Sequence, residues 1–409
     1  TLVGTAGIDS VNIGADLTNN FFVGAQLSND LITLDGDITR SNVTIKGGQG
    51  ADTVSIRGVI NESFLNGNAD NDIFGSIATP IRLTKSTLQG GKGLDTIVVS
   101  NANTSIVNGN KGIDTVTVAG VANTSSIRGG QGNDIINVGN AAQLTNSLIT
   151  GDVGNDTITV SIEAGQEGFS TNSTVQGGAG NDTIDATLSN SSVLLAGGDG
   201  NDTVTGGSSG DTLNGGAGVD TIRGNAGADR IDAGGGNDNI LYFSTAEFVV
   251  NNVLVDDVHG GEGITDSLVF NADTFTIGAN VAWNLRSSGI ERIAAGQAAA
   301  NALSVTLGAT ASTAGISLID FSADTNAAGA NVIDVQAHAG PFTITGSAGV
   351  ETINAGTGND TVDAGLQADA ITGRGGSDEF IQNNGDSLAA TAGPGALTNA
   401  GAFAATSTL

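Results

Sequence analysis

The chain contains no cysteine and no methionine, has only 3 prolines in 409 residues, and draws 4% of its residues from the aromatics. Without cysteine there is no disulfide framework and no thiolate metal site, and its 2 histidines are too few for a zinc centre. Basic residues are also scarce: 13 Lys+Arg stand against 42 Asp+Glu, a formal net charge of −29. That balance argues against nucleic acid as a partner, because phosphate binding needs clustered lysine and arginine. It argues equally against an anionic membrane surface. The two long stretches without charge, 293–319 and 387–409, are rich in Ala, Gly, Ser and Thr, and neither is apolar enough for a spanning helix. No heptads and no amphipathic helical period are present. Position 1 is not methionine, so the numbering is expected to start inside a longer precursor, and no signal peptide is visible.

Glycine is what the chain has in abundance, 64 residues in all, with an apolar complement of mostly Ile, Val and Leu. Such a composition can fill a β-rich core and is not that of a disordered chain. The glycines are organised. Gly47-Gly48-Gln49-Gly50-Ala51-Asp52 precedes Thr53-Val54-Ser55-Ile56, and the same loop returns at 90–95, 129–134, 177–182 and 197–202. Aspartates that precede a strand-like run recur along the chain: Asp9, Asp30, Asp52, Asp72, Asp95, Asp114, Asp134, Asp156, Asp182, Asp202, Asp220 and Asp238, at gaps of 18 to 26 residues. Between Asp202 and Asp238 the interval halves to nine, through Asp211 and Asp229. Alternating runs such as Thr115-Val116-Thr117-Val118 follow each aspartate and read as strands with one buried face.

A period this persistent indicates a solenoid, which grows by adding coils. Each coil of about 20 residues reads as two strands and two turns. One turn is the Gly/Asp loop. The other is a variable Ser/Thr/Asn turn that absorbs the length differences, as in Ser86-Thr87-Leu88-Gln89-Gly90. Counting then places Asp202, Asp220 and Asp238 on the edge of the earlier loops, and Asp211 and Asp229 on the opposite edge. The apolar residues two past each aspartate (Val54, Phe74, Ile97, Val116, Ile136, Ile158, Ile184, Val204, Leu213, Ile222, Ile231 and Ile240) are expected to stack into the core. Residues 1–46 read as degenerate N-terminal coils and 47–240 as the loop-bearing roll. Residues 241–266 read as a seam, with a denser apolar patch and a loop, Gly260 to Asp266, carrying one inserted residue. A solenoid poor in such loops is expected over 267–354, a short repeat block over 355–382 and a low-complexity tail over 383–409.

The loop chemistry points to calcium. Glycine permits positive φ and close backbone approach, so a tight loop can turn its carbonyl oxygens toward one point. The aspartate adds a hard anionic oxygen. Calcium takes six to eight such oxygens, and magnesium tolerates irregular cages poorly. One loop supplies too few ligands, so each ion is expected between loops of neighbouring coils, where it offsets carboxylate repulsion. The candidate ligand loops contribute Asp52, Asp72, Asp95, Asp114, Asp134, Asp156, Asp182, Asp202, Asp211, Asp220, Asp229, Asp238, Asp360, Asp369 and Asp378. Their glycines are Gly48, Gly50, Gly91, Gly93, Gly130, Gly132, Gly178, Gly180, Gly198, Gly200, Gly216 and Gly218. An aspartate that merely caps a turn is the alternative, and it stays open for Asp266, Asp369 and Asp378.

No other motif rises to this level. Gly206-Gly207-Ser208-Ser209-Gly210 matches a nucleophile-elbow pattern but lies amid nine-residue repeats, so it reads as a turn. His259 and His338 read as surface or turn residues, and Trp283 and Tyr242 as core or seam.

The repeat resembles the RTX (repeat-in-toxin, haemolysin-type) calcium-binding nonapeptide Gly-Gly-x-Gly-x-Asp-x-apolar-x. Residues 177–185 and 197–205 fit it fully. Asn68 and Asn110 replace the second glycine, Ala69-Asp70 alters the copy before Asp72, and Asp152-Val153 alters the one before Asp156. Asp9 and Asp30 lack the full loop. The resemblance implies an all-β fold, a right-handed parallel β-roll or β-solenoid with stacked calcium loops and multiple calcium ions. The arrangement is similar to bacterial surface-layer and large exported RTX proteins. That likeness implies type I secretion and folding on extracellular calcium.

Three functional expectations follow. The first is a non-enzymatic structural protein of the bacterial cell surface that self-assembles into a layer or sheath, its partners being copies of itself and cell-surface polysaccharide. The second is an adhesin or binding module of a giant exported protein. The third is the secretion and folding domain of an enzyme whose catalytic part lies outside this chain.

Overall fold

The computed structural model describes residues 1–14, 16–17, 20–38, 42–139, 143–161, 173–272, 275–281, 283, 287–296, 303–326, 330–367 and 369–381. The tail expected at 383–409 lies outside the described residues. The chain divides into two compact units, Thr1–Ala217 and Gly218–Leu409. Each is a parallel β-solenoid.

In the Thr1–Ala217 unit the strands fall into rows. One row enters the glycine loops: Thr44–Gly48, Phe64–Asn68, Thr87–Lys92, Ile106–Lys111, Ser126–Gln131, Leu148–Val153, Thr174–Ala179, Leu194–Asp199 and Thr212–Ala217. The other leaves them: Thr53–Ile56, Ile73–Phe74, Thr96–Asn103, Thr115–Asn123, Ile135–Val138, Thr157–Val160, Thr183–Asp185 and Thr203–Thr205. Alternation sets the facing of every strand. Thr96 pairs with Thr115 on the outside, while Ile97 pairs with Val116 inside. The stack Val54, Phe74, Ile97, Val116, Ile136, Ile158, Ile184 and Val204 is wholly buried, opposite Ile45, Leu65, Leu88, Val107, Ile127, Ile149, Val175 and Leu195. Each coil adds one residue to each stack, so a one-residue slip would turn the whole set outward.

The second turn is more ordered than the expected variable connection. The middle coils carry a third short strand, seen as Val59–Asn61, Ile81–Thr84, the far halves of Thr96–Asn103 and Thr115–Asn123, and Gln143–Thr145. Beyond it runs a column of buried serines. Ser63 N donates to Ser86 Oγ at 3.1 Å, Ser86 N to Ser105 Oγ at 3.1 Å, Ser105 N to Ser125 Oγ at 3.0 Å, Ser125 N to Ser147 Oγ at 3.1 Å, and Ser147 N to Ser173 Oγ at 3.1 Å. The residue before each serine turns left-handed, as in Glu62 (φ 47), Lys85 (φ 48), Thr104 (φ 52), Thr124 (φ 51) and Asn146 (φ 49). Length variation is therefore taken up around a fixed serine hinge. Asp211 joins the same edge, accepting from Val193 N at 2.9 Å.

In the Gly218–Leu409 unit the pairing is again parallel, apart from the antiparallel pair Val249–Val250 with Val253–Leu254. That hairpin follows a single helical turn, Thr245–Phe248, capped by Ser244 Oγ on Glu247 N. The helical turn contributes Phe248 to an aromatic cluster. Tyr242 stacks on Phe270 at 5.5 Å, Phe270 on Phe275 at 3.7 Å, and Phe248 packs on Trp283 at 5.5 Å. All five rings are buried. Further coils follow as the rows Ser267–Phe270, Arg292–Ala295, Leu318–Asp320, Thr343–Thr345, Thr361–Asp363 and Glu379–Ile381, and Phe275–Ile277, Leu303–Thr306, Ala330–Asp334, Val350–Asn354 and Ala370–Thr372. No helix among the described residues is long and apolar enough to cross a membrane.

Candidate metal sites

The repeat aspartates form a ladder. Each backbone N–H donates to Oδ1 of the aspartate one coil on. The bonds Asp9 to Asp30, Asp30 to Asp52, Asp52 to Asp72, Asp72 to Asp95, Asp95 to Asp114, Asp114 to Asp134, Asp134 to Asp156, and Asp156 to Asp182 measure 2.7 to 2.8 Å, and Asp182 to Asp202 is 2.7 Å. In the second unit Asp220 N reaches Asp238 Oδ1 at 2.8 Å and Asp238 N reaches Asp266 Oδ1 at 2.9 Å. The coil gaps vary, yet the ladder does not, because the loop brings each aspartate back to one register.

Backbone conformation explains both the glycines and their replacements. Gly48, Gly50, Gly91, Gly93, Gly130, Gly132, Gly178, Gly180, Gly198, Gly200, Gly216 and Gly218 all have positive φ. At Gly178 (φ 127) a Cβ would also overlap Asp152 O of the preceding coil. Asn68 (φ 81), Asn110 (φ 78) and Asp152 (φ 76) replace the second glycine and keep its left-handed turn. Asn and Asp are the side chains that tolerate this region best, so these departures preserve the loop. The first glycine of each loop has a different reason. A Cβ on Gly129 would fall on Asp134 Oδ2 and lie 2.8 Å from Gly151 O of the next coil. Gly47 shows the same pair, Asp52 Oδ2 and Gly67 O. Carboxylate and carbonyl oxygens from two coils thus converge on one small space.

The free oxygen of each carboxylate is the informative atom. Oδ2 of Asp30, Asp52, Asp72, Asp95, Asp114, Asp134, Asp156, Asp182, Asp238 and Asp266 is buried with no hydrogen-bond partner. Burial, reinforced at most of them by neighbouring carboxylates, pushes Asp52, Asp95, Asp114, Asp134, Asp156, Asp182, Asp202 and Asp238 up to about 6, and Asp72 to about 8. None of the described ion pairs brings an arginine or lysine to a ladder aspartate. A file of buried, unpaired anions needs a counter-charge. The donors present are all oxygens, which suits a hard cation such as calcium. No group of three or more His, Cys, Asp or Glu among the described residues could hold a metal, so backbone carbonyls must complete each cage.

Three loops differ. Gly207 N donates to Asp211 Oδ2 at 2.6 Å, Gly356 N to Asp360 Oδ2 at 2.9 Å, and Thr5 N to Asp9 Oδ2 at 2.5 Å. There the loop itself satisfies the second oxygen. In the first unit Asp211 Oδ1 accepts from Val193 N at 2.9 Å; in the second unit Asp229 N donates to Asp256 Oδ1 at 2.9 Å and Tyr242 Oη donates to Asp256 Oδ2 at 3.0 Å. Asp369 Oδ1 accepts from Glu351 N at 2.7 Å, and Asp378 Oδ1 from Asp360 N at 3.1 Å. Sequence reasoning passed over Asp256 and Glu291, which take ladder positions without a Gly-rich loop before them, and Glu351, where a glutamate ends the loop Gly346-Ser347-Ala348-Gly349-Val350 in place of the usual aspartate. It also passed over the serine column, whose only sequence signal is a Ser two residues ahead of each inward apolar residue.

The remaining candidates fall into place. Gly207 and Ser208 form a turn held by Ser208 N on Ser189 O at 2.9 Å. His338 is buried, takes Gly340 N on Nδ1 at 3.1 Å and packs edge-on against Phe342, and burial lowers its pKa. His259 lies on an exposed sheet face with Nδ1 2.7 Å from Ser288 Oγ and Nε2 3.3 Å from Asp257. Arg230 shares Asp257 at 2.9 Å, which makes the group a cross-strand polar row.

Compared with protein families, the chain matches the one described as RTX calcium-binding nonapeptide repeat (4 copies), over residues 39–55, 119–141, 167–190, 194–222, 205–240 and 345–380. No curated protein matches the chain. The matched repeats are calcium-binding, and the chain takes multiple calcium ions through them.

Proposed function

We propose that this RTX-repeat β-solenoid protein is a calcium-folded structural component of an extracellular bacterial surface layer or sheath, built by contacts between copies. It is a scaffold and not a catalyst. The observation that carries the reading is the file of buried Oδ2 atoms, because it ties the stability of successive coils to bound cations. In this reading the ladder aspartates are the anionic ligands, from Asp52 through Asp182 and Asp202 in the first unit and at Asp220 and Asp238 in the second, with loop carbonyls completing each site.

A site made only when two coils stack couples binding to folding. That cost weakens affinity toward the range of extracellular calcium modules, on the order of 10⁻⁴–10⁻³ M. The chain would stay unfolded during export by a type I route and fold outside the cell. Copies would meet through apolar side chains left on the surface. Leu94 and Ile113, each 54% exposed, sit on successive loops, with Ile73 and Ile135 on the strand face beside them. Cell-surface polysaccharide is the expected anchor.

The test is electron microscopy of the purified chain with saturating calcium and with chelator. Ordered sheets or tubes that dissolve on chelation are expected. Folded single particles at every concentration in calcium would sink the assembly reading, and glycan binding by such particles would favour an adhesin.

A further inference from the structure

The ladder does not stop where the nonapeptide does. In the second unit it runs Asp220, Asp238, Asp266. The family match ends at residue 240 and resumes only at 345, so Asp266 and the coil beyond it lie outside the matched repeats. On the next coil the strand Ser287–Ser288 runs straight into Gly289-Ile290-Glu291, three residues where a repeat loop has six. Nevertheless Asp266 N donates to Glu291 Oε2 at 2.9 Å, the bond that an aspartate accepts elsewhere. Glutamate is one methylene longer than aspartate, and that length spans the gap left by the shorter turn.

The oxygen arrangement of the true loops is reproduced here. His259 pairs with Ser288, which sets Gly260 level with Gly289. A Cβ on Gly260 would fall on Gly289 O and lie 2.7 Å from Asp266 Oδ2, as one on Gly129 meets Gly151 O and Asp134 Oδ2. Asp266 is 1% exposed, its Oδ1 is taken by Asp238 N, and its Oδ2 has no partner. The nearby Arg292 does not supply the missing charge, being paired with Asp320.

We infer that Asp266, the Gly289 carbonyl and Glu291 hold a further calcium ion, in a segment whose sequence carries no intact calcium loop. This rests on the calcium reading of the aspartate column and extends it by one coil. The ion would close the column against the aromatic insertion, so that calcium orders coils on both sides of residues 241–254 within this unit. The donors are carboxylate and carbonyl oxygens only, which selects a hard divalent cation.

Equilibrium dialysis with calcium on the full chain tests it. Glu291→Gln should bind one ion fewer than the wild type, and so should Asp134→Asn, the control inside an intact repeat. Glu291→Asp, too short to reach, should behave as Glu291→Gln. An unchanged count in both Glu291 variants alongside a loss in Asp134→Asn overturns the inference and leaves the column reading standing. An unchanged count in all three overturns both. If the Glu291 variants fail to fold, hydrogen exchange on the wild type decides. Calcium must slow exchange at 260–267 and 287–292, and slowing at 129–134 without it there overturns the site.

Discussion

Asp114 N donates to Asp134 Oδ1 at 2.7 Å, while Oδ2 of the same carboxylate is buried and has no donor. One oxygen belongs to the fold and the other to an ion. This division of labour makes the effect of a substitution depend on calcium.

Asp134→Asn should therefore have opposite effects in two buffers. Its amide oxygen can still accept from Asp114, and its NH₂ can face the carbonyl oxygens that otherwise surround the ion. In chelator it removes a buried charge and should raise the urea midpoint. In saturating calcium it removes a ligand and should lower stability by about 1–3 kcal/mol. A loss of equal size in both buffers would contradict the assignment.

The same burial sets the pH dependence of the calcium-free chain. Asp134 is raised from 3.8 to about 6, so between those values the folded chain holds a proton that the unfolded chain does not. Folding without calcium is thus favoured by acid and weakens as pH rises from about 4 to about 6. Asp72, raised to about 8, extends the loss past neutrality. With calcium the trend reverses, since protons compete with the ion for the carboxylates. Circular dichroism in chelator from pH 4 to 8 should show structure fading; structure that grows with pH would contradict this.

Asp211→Asn is expected to leave the calcium count unchanged. Its Oδ2 already accepts Gly207 N at 2.6 Å. An amide turned there would set donor against donor, so stability should fall by about 1–3 kcal/mol with or without calcium. Asp182→Asn, by contrast, should lose an ion. Calorimetric titration separates the two.

Ser125→Ala tests the opposite edge. Ser125 Oγ accepts Ser105 N at 3.0 Å and donates to Ala102 O at 2.8 Å. Removing it strands a buried N–H, at a cost of about 1–3 kcal/mol. The drop in melting temperature should be equal in calcium and chelator. A calcium-dependent drop would show the two edges to be coupled.

Thr104 precedes Ser105 at φ 52, a region that disfavours a β-branched residue. Thr104→Asn should raise stability by about 1 kcal/mol, readable as a higher urea midpoint. No gain would mean that the surrounding turn already relieves the strain.

The sequence by itself determined the coil. A glycine loop, one aspartate and an inward apolar residue two positions later are local requirements: positive φ, a short anionic side chain and period-two facing. Each can be read from one repeat, and Val54, Ile97 and Ile158 lie where that counting places them. Even Asn68 and Asn110 are legible, as residues that tolerate the same φ. What the tertiary structure decided are the relations between coils, separated by 18 to 26 residues of varying length. Which carboxylate oxygen meets a backbone N–H and which stays free depends on how one loop docks on the next. So does the serine column, whose bonds cross 19 to 26 residues. Glu291 is the clearest case: no loop motif precedes it, and only the register of Ser288 on His259 carries its longer side chain to Asp266.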